Sequence, residues 1–212
     1  MNPRRTARPA RIYAIADADA LAPRTLVAGA CEMAAAGIEL IQLRAKHLAD
    51  RLLHREVEAC LRALEGWQGA LWIDDRVDLA ALFPLSGVHL GQSDLPVGPA
   101  RTLLPADRMV GLSTHDEAQF AAGVEDAGVD WIALGPIFPT ASKQDPDPVV
   151  GVERMSALRA RTAMPMIAIG GIDAANVAAV LAGGADSAAV LAAVCRGDIA
   201  DNCRRLLRAA GA

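Results

Sequence analysis

Short apolar runs alternate with helical stretches eight times along the chain, and this alternation limits the fold more than any other feature. The predicted strands are residues 11–16, 40–44, 70–73, 87–90, 109–113, 131–134, 166–169 and 187–191. The predicted helices are residues 23–36, 48–64, 77–83, 97–104, 116–127, 152–161, 173–182 and 198–210. Apolar strands without polar alternation are typical of a parallel sheet that is buried on both faces. Eight βα units therefore predict a (β/α)₈ TIM barrel, with an open doubly wound sheet as the alternative.

Composition excludes several other classes of protein. Hydrophobic residues make up 53% of the 212 residues and charged residues 22%, which excludes intrinsic disorder. The net charge of −4 argues against a nucleic-acid partner, and no apolar run is long enough to span a membrane. Residues 1–10 are predicted to be a flexible Arg-rich tail and residues 11–212 one barrel domain. Four cysteines without a CxxC pair indicate a reduced, cytoplasmic protein, and a homo-oligomer stays open.

The active site of a TIM barrel lies at the carboxyl ends of its strands, and polar residues concentrate there in this sequence. Gln42, Arg44 and Lys46 alternate along an extended segment after the second strand, so their side chains point the same way. A cation inside an apolar barrel needs an anionic partner. That partner is either a neighbouring carboxylate or a bound phosphate or pyrophosphate.

Three carboxylates are predicted to converge beside these cations. Asp74 and Asp75 follow the third strand and Asp94 follows the fourth. Two carboxylates roughly 4 Å apart repel by about 4 kcal/mol at an effective dielectric constant near 20. Either Arg44 or Lys46 offsets this repulsion, or a divalent cation does. Mg²⁺ prefers a few carboxylates together with phosphate oxygens, and Asp75 and Asp94 are the better ligands.

Two further segments suit phosphate groups. The loop Gly135–Gly151 offers the hydroxyls of Thr140 and Ser142 and the mobile cation of Lys143, and it is either a lid or a passive crossover. Gly170 and Gly171 follow the seventh strand, where backbone N–H groups bind phosphate or simply form a tight turn.

The histidines and tryptophans are assigned structural roles at this point. His89 ends the fourth strand and His115 follows the fifth, and both are interpreted as hydrogen-bonded structural residues. Trp67, Trp72 and Trp131 are too scattered in sequence for a stacking platform and are predicted to be packing residues.

Six segments together resemble the thiamine-phosphate synthase family, in the family's order. They are QLRAK (42–46), IDDRVDLA (73–80), GVHLGQSD (87–94), GLSTH (111–115), GPIFPTASK (135–143) and IAIGGI (167–172). The resemblance covers nearly the whole chain after the tail. It implies that hydroxymethylpyrimidine pyrophosphate is joined to thiazole phosphate with release of pyrophosphate. The resemblance also implies that the pyrimidine C–O bond breaks first and that the thiazole nitrogen captures the resulting carbocation.

The resemblance also implies roles for individual residues. The residues carried over as catalytic are Arg44, Lys46, Lys143 and Ser113. The residues carried over as substrate-binding are Gln42, Leu43, Arg44, Ala45, Lys46, Asp74, Ser113, Thr140, Ala141, Ser142, Lys143, Gly171, Leu191 and Ala192. Asp75 and Asp94 are the implied Mg²⁺ ligands. Arg44, Lys46, Lys143 and Mg²⁺ together carry +5 and the ligands Asp75 and Asp94 carry −2, which leaves about +3 in formal charge to meet a pyrophosphate of about −3.

Three departures from the family pattern bear on efficiency. Asp74 stands where Asn is usual, and an ionised Asp cannot donate a hydrogen bond. Ala192 stands where Ser usually completes the thiazole phosphate site, and Ser142 replaces the more usual Thr.

Other functions remain open at this point. A thiazole tautomerase of the same fold would use His115 as acid and base. A non-catalytic metabolite-binding regulator would be consistent with Asp74 and Ala192. A different phosphate-binding barrel enzyme is the third alternative, because fold does not fix function.

Overall fold

A computed structural model describes residues 8–140 and 147–212, and its eight strands form one closed barrel. The strands are β1 (Ile12–Asp17), β2 (Leu40–Arg44), β3 (Ala70–Asp74), β4 (Gly87–Leu90), β5 (Met109–Thr114), β6 (Trp131–Leu134), β7 (Met166–Ile169) and β8 (Ser187–Val190). Each strand pairs in parallel with its neighbours in sequence, and β8 pairs with β1. The (β/α)₈ prediction is therefore confirmed, and the open sheet is excluded.

Ten helices are present in the described ranges, two more than the eight predicted. They are α1 (Ala18–Leu21), α2 (Leu26–Ala35), α3 (Asp50–Ala63), α4 (Val77–Leu82), α5 (Val97–Leu103), α6 (Glu117–Glu125), α7 (Val152–Arg159), α8 (Val177–Ala182), α9 (Ala192–Cys195) and α10 (Ile199–Ala210). The unpredicted α1 and α9 have four residues each, too few to show a helical period in sequence. None of the helices in these ranges has the length and apolar character needed to cross a membrane.

The prediction that Asp173 caps the start of the helix after the seventh strand is wrong. The helix α8 begins four residues later, with Asn176 as its N-cap residue. The Asp173 carboxylate instead accepts a hydrogen bond from the backbone N–H of Ala175 at 2.8 Å, which closes a turn before the helix.

Two separate cores lie on the two faces of the sheet. Alternate strand residues point outward and pack under the helices, while the others fill the barrel. Inside the barrel the rings of Trp72 and Trp131 stack with centroids 4.4 Å apart, and Tyr13 meets Trp72 edge-on at 6.1 Å. Trp67 is half-buried against the outer core. The packing role predicted for the tryptophans is confirmed, although two of them do stack on each other.

An ion pair of the same design occurs before β6 and before β8. Asp130 accepts a hydrogen bond from a backbone N–H of the preceding strand at 2.9 Å and pairs with Arg101 of α5. Asp186 likewise accepts a hydrogen bond from the backbone N–H of Met166 in the preceding strand at 2.9 Å, and it pairs with Arg159 of α7 at 3.1 Å. The Asp130 side chain is fully buried, whereas that of Asp186 is 11% exposed. Each pair fastens one helix to the barrel.

Arg101→Leu should lower the free energy of unfolding by about 3 kcal/mol, because it leaves the carboxylate of Asp130 buried without its cation. Arg159→Leu is the matched control, and its loss should be smaller because water reaches Asp186. Urea denaturation of both variants measures the difference. Equal losses would show that burial of the carboxylate does not set the cost.

Candidate active site

A cavity of about 540 Å³ opens at the carboxyl ends of the strands. It brings together most of the residues that the sequence singles out. These are Gln42, Arg44, Lys46, Asp74, Asp75, Asp94, Ser113, Thr140, Gly171, Leu191 and Ala192. The cavity size is within the usual range for sites that bind small molecules. Ala141, Ser142 and Lys143 lie outside the described residues.

Leu43 and Ala45 are not part of the cavity lining. Leu43 is fully buried in the outer core, and Ala45 packs against the same core. The alternation along β2 turns their side chains away from the barrel interior. Their side chains therefore do not face the cavity, and substrate binding by the backbone of Leu43 and Ala45 stays a prediction.

Arg44 lies between two carboxylates at the mouth of the barrel. Its Nη1 pairs with the Asp17 carboxylate, and its Nε lies 3.2 Å from Oδ2 of Asp74. The Asp17 side chain is only 5% exposed, and its other oxygen caps α1 by accepting from the N–H of Ala20 at 2.9 Å. Burial disfavours the charge of Arg44, yet these neighbours raise its pKa.

Asp17 is a site residue that the sequence reasoning missed. The polar residues counted there followed the second to seventh strands, and Asp17 ends the first strand. An acidic side chain at the carboxyl end of a buried strand was the available signal.

Lys46 is held by the two consecutive aspartates of β3 and its following turn. Its Nζ pairs with Asp75 and lies 3.5 Å from Oδ2 of Asp74. Although burial opposes its charge, the aspartates raise the pKa of Lys46. Burial, followed by the charge of Asp75, raises the pKa of Asp74 to about 6. The sequence predicts either a neighbouring carboxylate or a bound phosphate as the partner of these cations. The structure shows neighbouring carboxylates beside both of them.

Asp75 and Asp94 face each other across the ends of β3 and β4. Burial raises the pKa of Asp75, and contact with the Asp94 carboxyl raises it further, against the effect of Lys46. Asp94 also accepts a hydrogen bond from the backbone N–H of Gly91 at 2.7 Å. Asp75 has a φ of 59°, the left-handed region, and its N–H donates to the carbonyl oxygen of His89 at 2.8 Å. Strained backbone at such a position is common in binding sites.

Two adjoining carboxylates are hard oxygen ligands that repel each other until a cation joins them. Mg²⁺ is usually held by one or two protein carboxylates, with substrate phosphates and water completing its shell. No group of three or more His, Cys, Asp or Glu residues in the described ranges forms a complete metal cage. Asp75 and Asp94 therefore fit a Mg²⁺ ion that is shared with a phosphorylated substrate.

The structure places His89 and Ser113 side by side in the cavity wall. His89 Nε2 lies 2.9 Å from Ser113 Oγ, and burial lowers the pKa of His89 to about 4, so the ring is neutral at pH 7. The other ring nitrogen, Nδ1, is buried and has no hydrogen-bond partner among the described residues. His115 is hydrogen-bonded too, because its Nδ1 lies 2.8 Å from the carbonyl oxygen of Gly135. A hydrogen bond is thus confirmed for both histidines.

The glycine pair after β7 admits the backbone of the preceding loop. A Cβ on Gly170 would lie 2.5 Å from Pro136, and one on Gly171 would lie 2.5 Å from the carbonyl oxygen of Pro139. Both glycines have positive φ, which other residues rarely adopt. Asn176 fixes the turn by donating from Nδ2 to the carbonyl oxygen of Gly171 at 2.9 Å. The tight turn is confirmed, and phosphate binding at these N–H groups stays a prediction.

Comparisons with known proteins agree with this geometry. The family model for thiamine monophosphate synthase matches residues 12–194. The chain is 42% identical over 186 residues to the thiamine-phosphate synthase of Koribacter versatilis (strain Ellin345), an alignment of 86% of this chain and 87% of the relative. It is 40% identical over 212 residues to that of Myxococcus xanthus (strain DK1622), with coverage of 98% and 95%.

A solved structure extends the agreement to three dimensions. The thiamine phosphate pyrophosphorylase from Pyrococcus furiosus superposes with a TM-score of 0.84 at 27% identity, over 99% of this chain and 98% of that one. Because the family model and these relatives cover nearly the whole barrel, the chain belongs to the thiamine-phosphate synthase family.

Proposed function

We propose that this chain joins 4-amino-2-methyl-5-hydroxymethylpyrimidine pyrophosphate to thiazole phosphate, forming thiamine phosphate and releasing pyrophosphate. The observation that carries the proposal is the mouth of the cavity, where Arg44 and Lys46 lie beside the adjoining carboxylates of Asp75 and Asp94 and Lys46 pairs with Asp75. Cations and a divalent-metal ligand pair on one wall suit a pyrophosphate. A tautomerase that moves a proton with His115 would have no use for this acidic pair.

The charge balance of the mouth supports a requirement for Mg²⁺. Among the described residues, the carboxylates of Asp17, Asp74, Asp75 and Asp94 outnumber the cations Arg44 and Lys46, so the surplus is negative. The charge balance drawn from the sequence omitted Asp17 and was too positive. A trianionic pyrophosphate would be repelled by this surplus. Mg²⁺ held by Asp75 and Asp94 would cancel this surplus of two negative charges and supply positive charge to the departing phosphate oxygens.

The residues of the cavity act on charge rather than as nucleophiles. When the pyrimidine C–O bond breaks, its electron pair stays on the pyrophosphate oxygen. N–H groups of Arg44 and Lys46 that donate to this oxygen stabilise the transition state more than the ground state. The thiazole nitrogen then forms the new C–N bond with its lone pair. Thr140, Gly171 and Ala192 follow the opposite strands β6, β7 and β8, where the thiazole phosphate would bind.

The resting ion pairs indicate how the anion would be received. Lys46 contacts Asp75 directly, so binding of the metal by Asp75 would release the ammonium group toward the pyrophosphate. Arg44 stays paired with Asp17 and keeps part of its guanidinium free for donation.

The four cysteines are free and three are buried, which supports a protein of a reducing compartment such as the cytoplasm.

Purified protein given both substrates and Mg²⁺ should form thiamine phosphate, and EDTA should stop the reaction. Chromatographic measurement of thiamine phosphate and pyrophosphate in equal amounts checks this. Binding of both substrates without any product would contradict the synthase proposal and favour a metabolite-binding regulator. A metal-independent isomerisation of the thiazole would favour the tautomerase.

Asp94→Asn should weaken Mg²⁺ binding at least about tenfold, because one of the two charged ligands is lost. Titration of the metal alone by calorimetry, in the absence of substrates, measures this directly. Asp78→Asn is the control, since Asp78 is 57% exposed and pairs with Arg76 outside the cavity. Unchanged Mg²⁺ affinity in Asp94→Asn would exclude Asp94 as a ligand.

Asp74→Asn should make stability less dependent on pH in the metal-free protein. Between the ordinary pKa of 3.8 and the raised value of about 6, folded Asp74 keeps a proton that the unfolded chain releases. Stability through this group is therefore full below pH 4 and lost as the pH rises through 6. Between pH 4 and pH 7, the free energy of unfolding of Asp74→Asn should therefore rise by about 3 kcal/mol relative to that of wild type.

Urea denaturation in EDTA at each pH measures this gain. Asp78→Asn is again the control, because its hydrogen bond with Arg76 lowers the pKa of Asp78 and moves its effect below pH 4. A constant stability difference between Asp74→Asn and wild type over this range would contradict a raised pKa.

A further inference from the structure

The geometry points to His89 as a positioning residue that donates a hydrogen bond to Ser113 and so aims the Ser113 hydroxyl proton at the pyrimidine substrate. This inference rests on the proposed function and deepens it. The sequence reasoning treated His89 as structural only.

The two side chains are brought together by the register of neighbouring strands. His89 pairs with Gly111 across β4 and β5, and Ser113 lies two residues further on the same face of β5. Gly111 leaves the room that the ring needs, since a Cβ there would lie 2.4 Å from His89 Nδ1. The ring is 7% exposed, and both residues line the cavity. The 2.9 Å contact between Nε2 and Oγ is therefore built by the fold.

The unpartnered nitrogen decides the direction of this hydrogen bond. A neutral imidazole carries its proton on one nitrogen only. If the proton were on Nδ1, a buried N–H would lack an acceptor, and orphaned buried N–H groups are rarer than unsatisfied acceptors. The proton therefore belongs on Nε2, where Ser113 Oγ accepts it.

A hydroxyl that accepts from His89 keeps its own proton for another partner. Free of this contact, the Ser113 hydroxyl would rotate and would have to be ordered on each substrate binding. With it, the O–H is directed into the cavity toward an acceptor such as a pyrimidine nitrogen or a pyrophosphate oxygen. His89 thus acts on the substrate only through Ser113.

A double-mutant cycle tests this dependence. His89→Leu and Ser113→Ala should each lower kcat/KM about tenfold, and the double variant should be no worse than Ser113→Ala alone. His89→Gln should retain most activity, because its amide nitrogen can donate from nearly the same place as Nε2. Losses that multiply in the double variant, or full activity of His89→Leu, would overturn the inference.

Two controls separate positioning from damage to the fold. The carbonyl oxygen of His89 accepts from the N–H of Asp75, so a shifted strand would disturb the metal ligand. Mg²⁺ affinity should therefore stay unchanged in His89→Leu, and a loss of affinity equal to the loss of activity would overturn the assignment. His54→Gln replaces an exposed histidine on α3, outside the cavity, and should match wild type.

Nitrogen NMR of the imidazoles tests the same contact without turnover, so its failure is distinct from failure of the proposed function. We expect the Nε2–H tautomer for His89 and the Nδ1–H tautomer for His115, whose Nδ1 faces a carbonyl oxygen. Ser113→Ala should shift the His89 Nε2 signal and leave His115 unchanged. An Nδ1–H tautomer at His89, or no response to Ser113→Ala, would overturn the inference even in an active enzyme.

Discussion

A parallel strand that is buried on both faces leaves polar side chains mainly to its two ends, and in a barrel the carboxyl ends are the ones that form the active site. The closed barrel applies this constraint eight times and directs the strand ends to one mouth. On β2, Leu40 lies in the barrel core, Gln42 donates a hydrogen bond to the hydroxyl of Tyr13, and Arg44 lies at the rim. The same alternation turns Leu43 into the outer core. The active site is thus a consequence of how the sheet is buried.

Charges collected in this way need partners, and each cation of the mouth is paired with carboxylates of the mouth itself. Arg44 and Lys46 share Asp74, and each has a second carboxylate in Asp17 or Asp75. Removing one member would leave a partly buried charge without its partner, which is costly. An incoming pyrophosphate must therefore replace existing ion pairs rather than fill an empty cationic site. Binding a divalent metal and binding the anion are coupled for this reason.

Much of this arrangement follows from the sequence, and the exceptions have physical causes. The barrel, the order of its units and the convergence of Gln42, Arg44, Asp75 and Asp94 come from periodicity and topology. The short α1 and α9 have too few residues for a periodic signal, and the delayed start of α8 goes with a single hydrogen bond to Asp173 that leaves none. The pairing of His89 with Ser113 depends on strand register and on the absence of a side chain at Gly111, neither of which a linear pattern displays.

The depth of the cavity is also set by packing in the barrel. Aromatic residues are only 3% of the chain, yet Trp72 and Trp131 stack in the inner core and do not line the cavity. The inward residues that do line it include Ala133 and Ala189, whose small side chains leave space above this stack. Dense packing leaves few voids in protein interiors, so a cavity of this size requires small residues at chosen positions. The same barrel interior therefore supplies stability at its aromatic layer and room for a ligand beneath the charged rim.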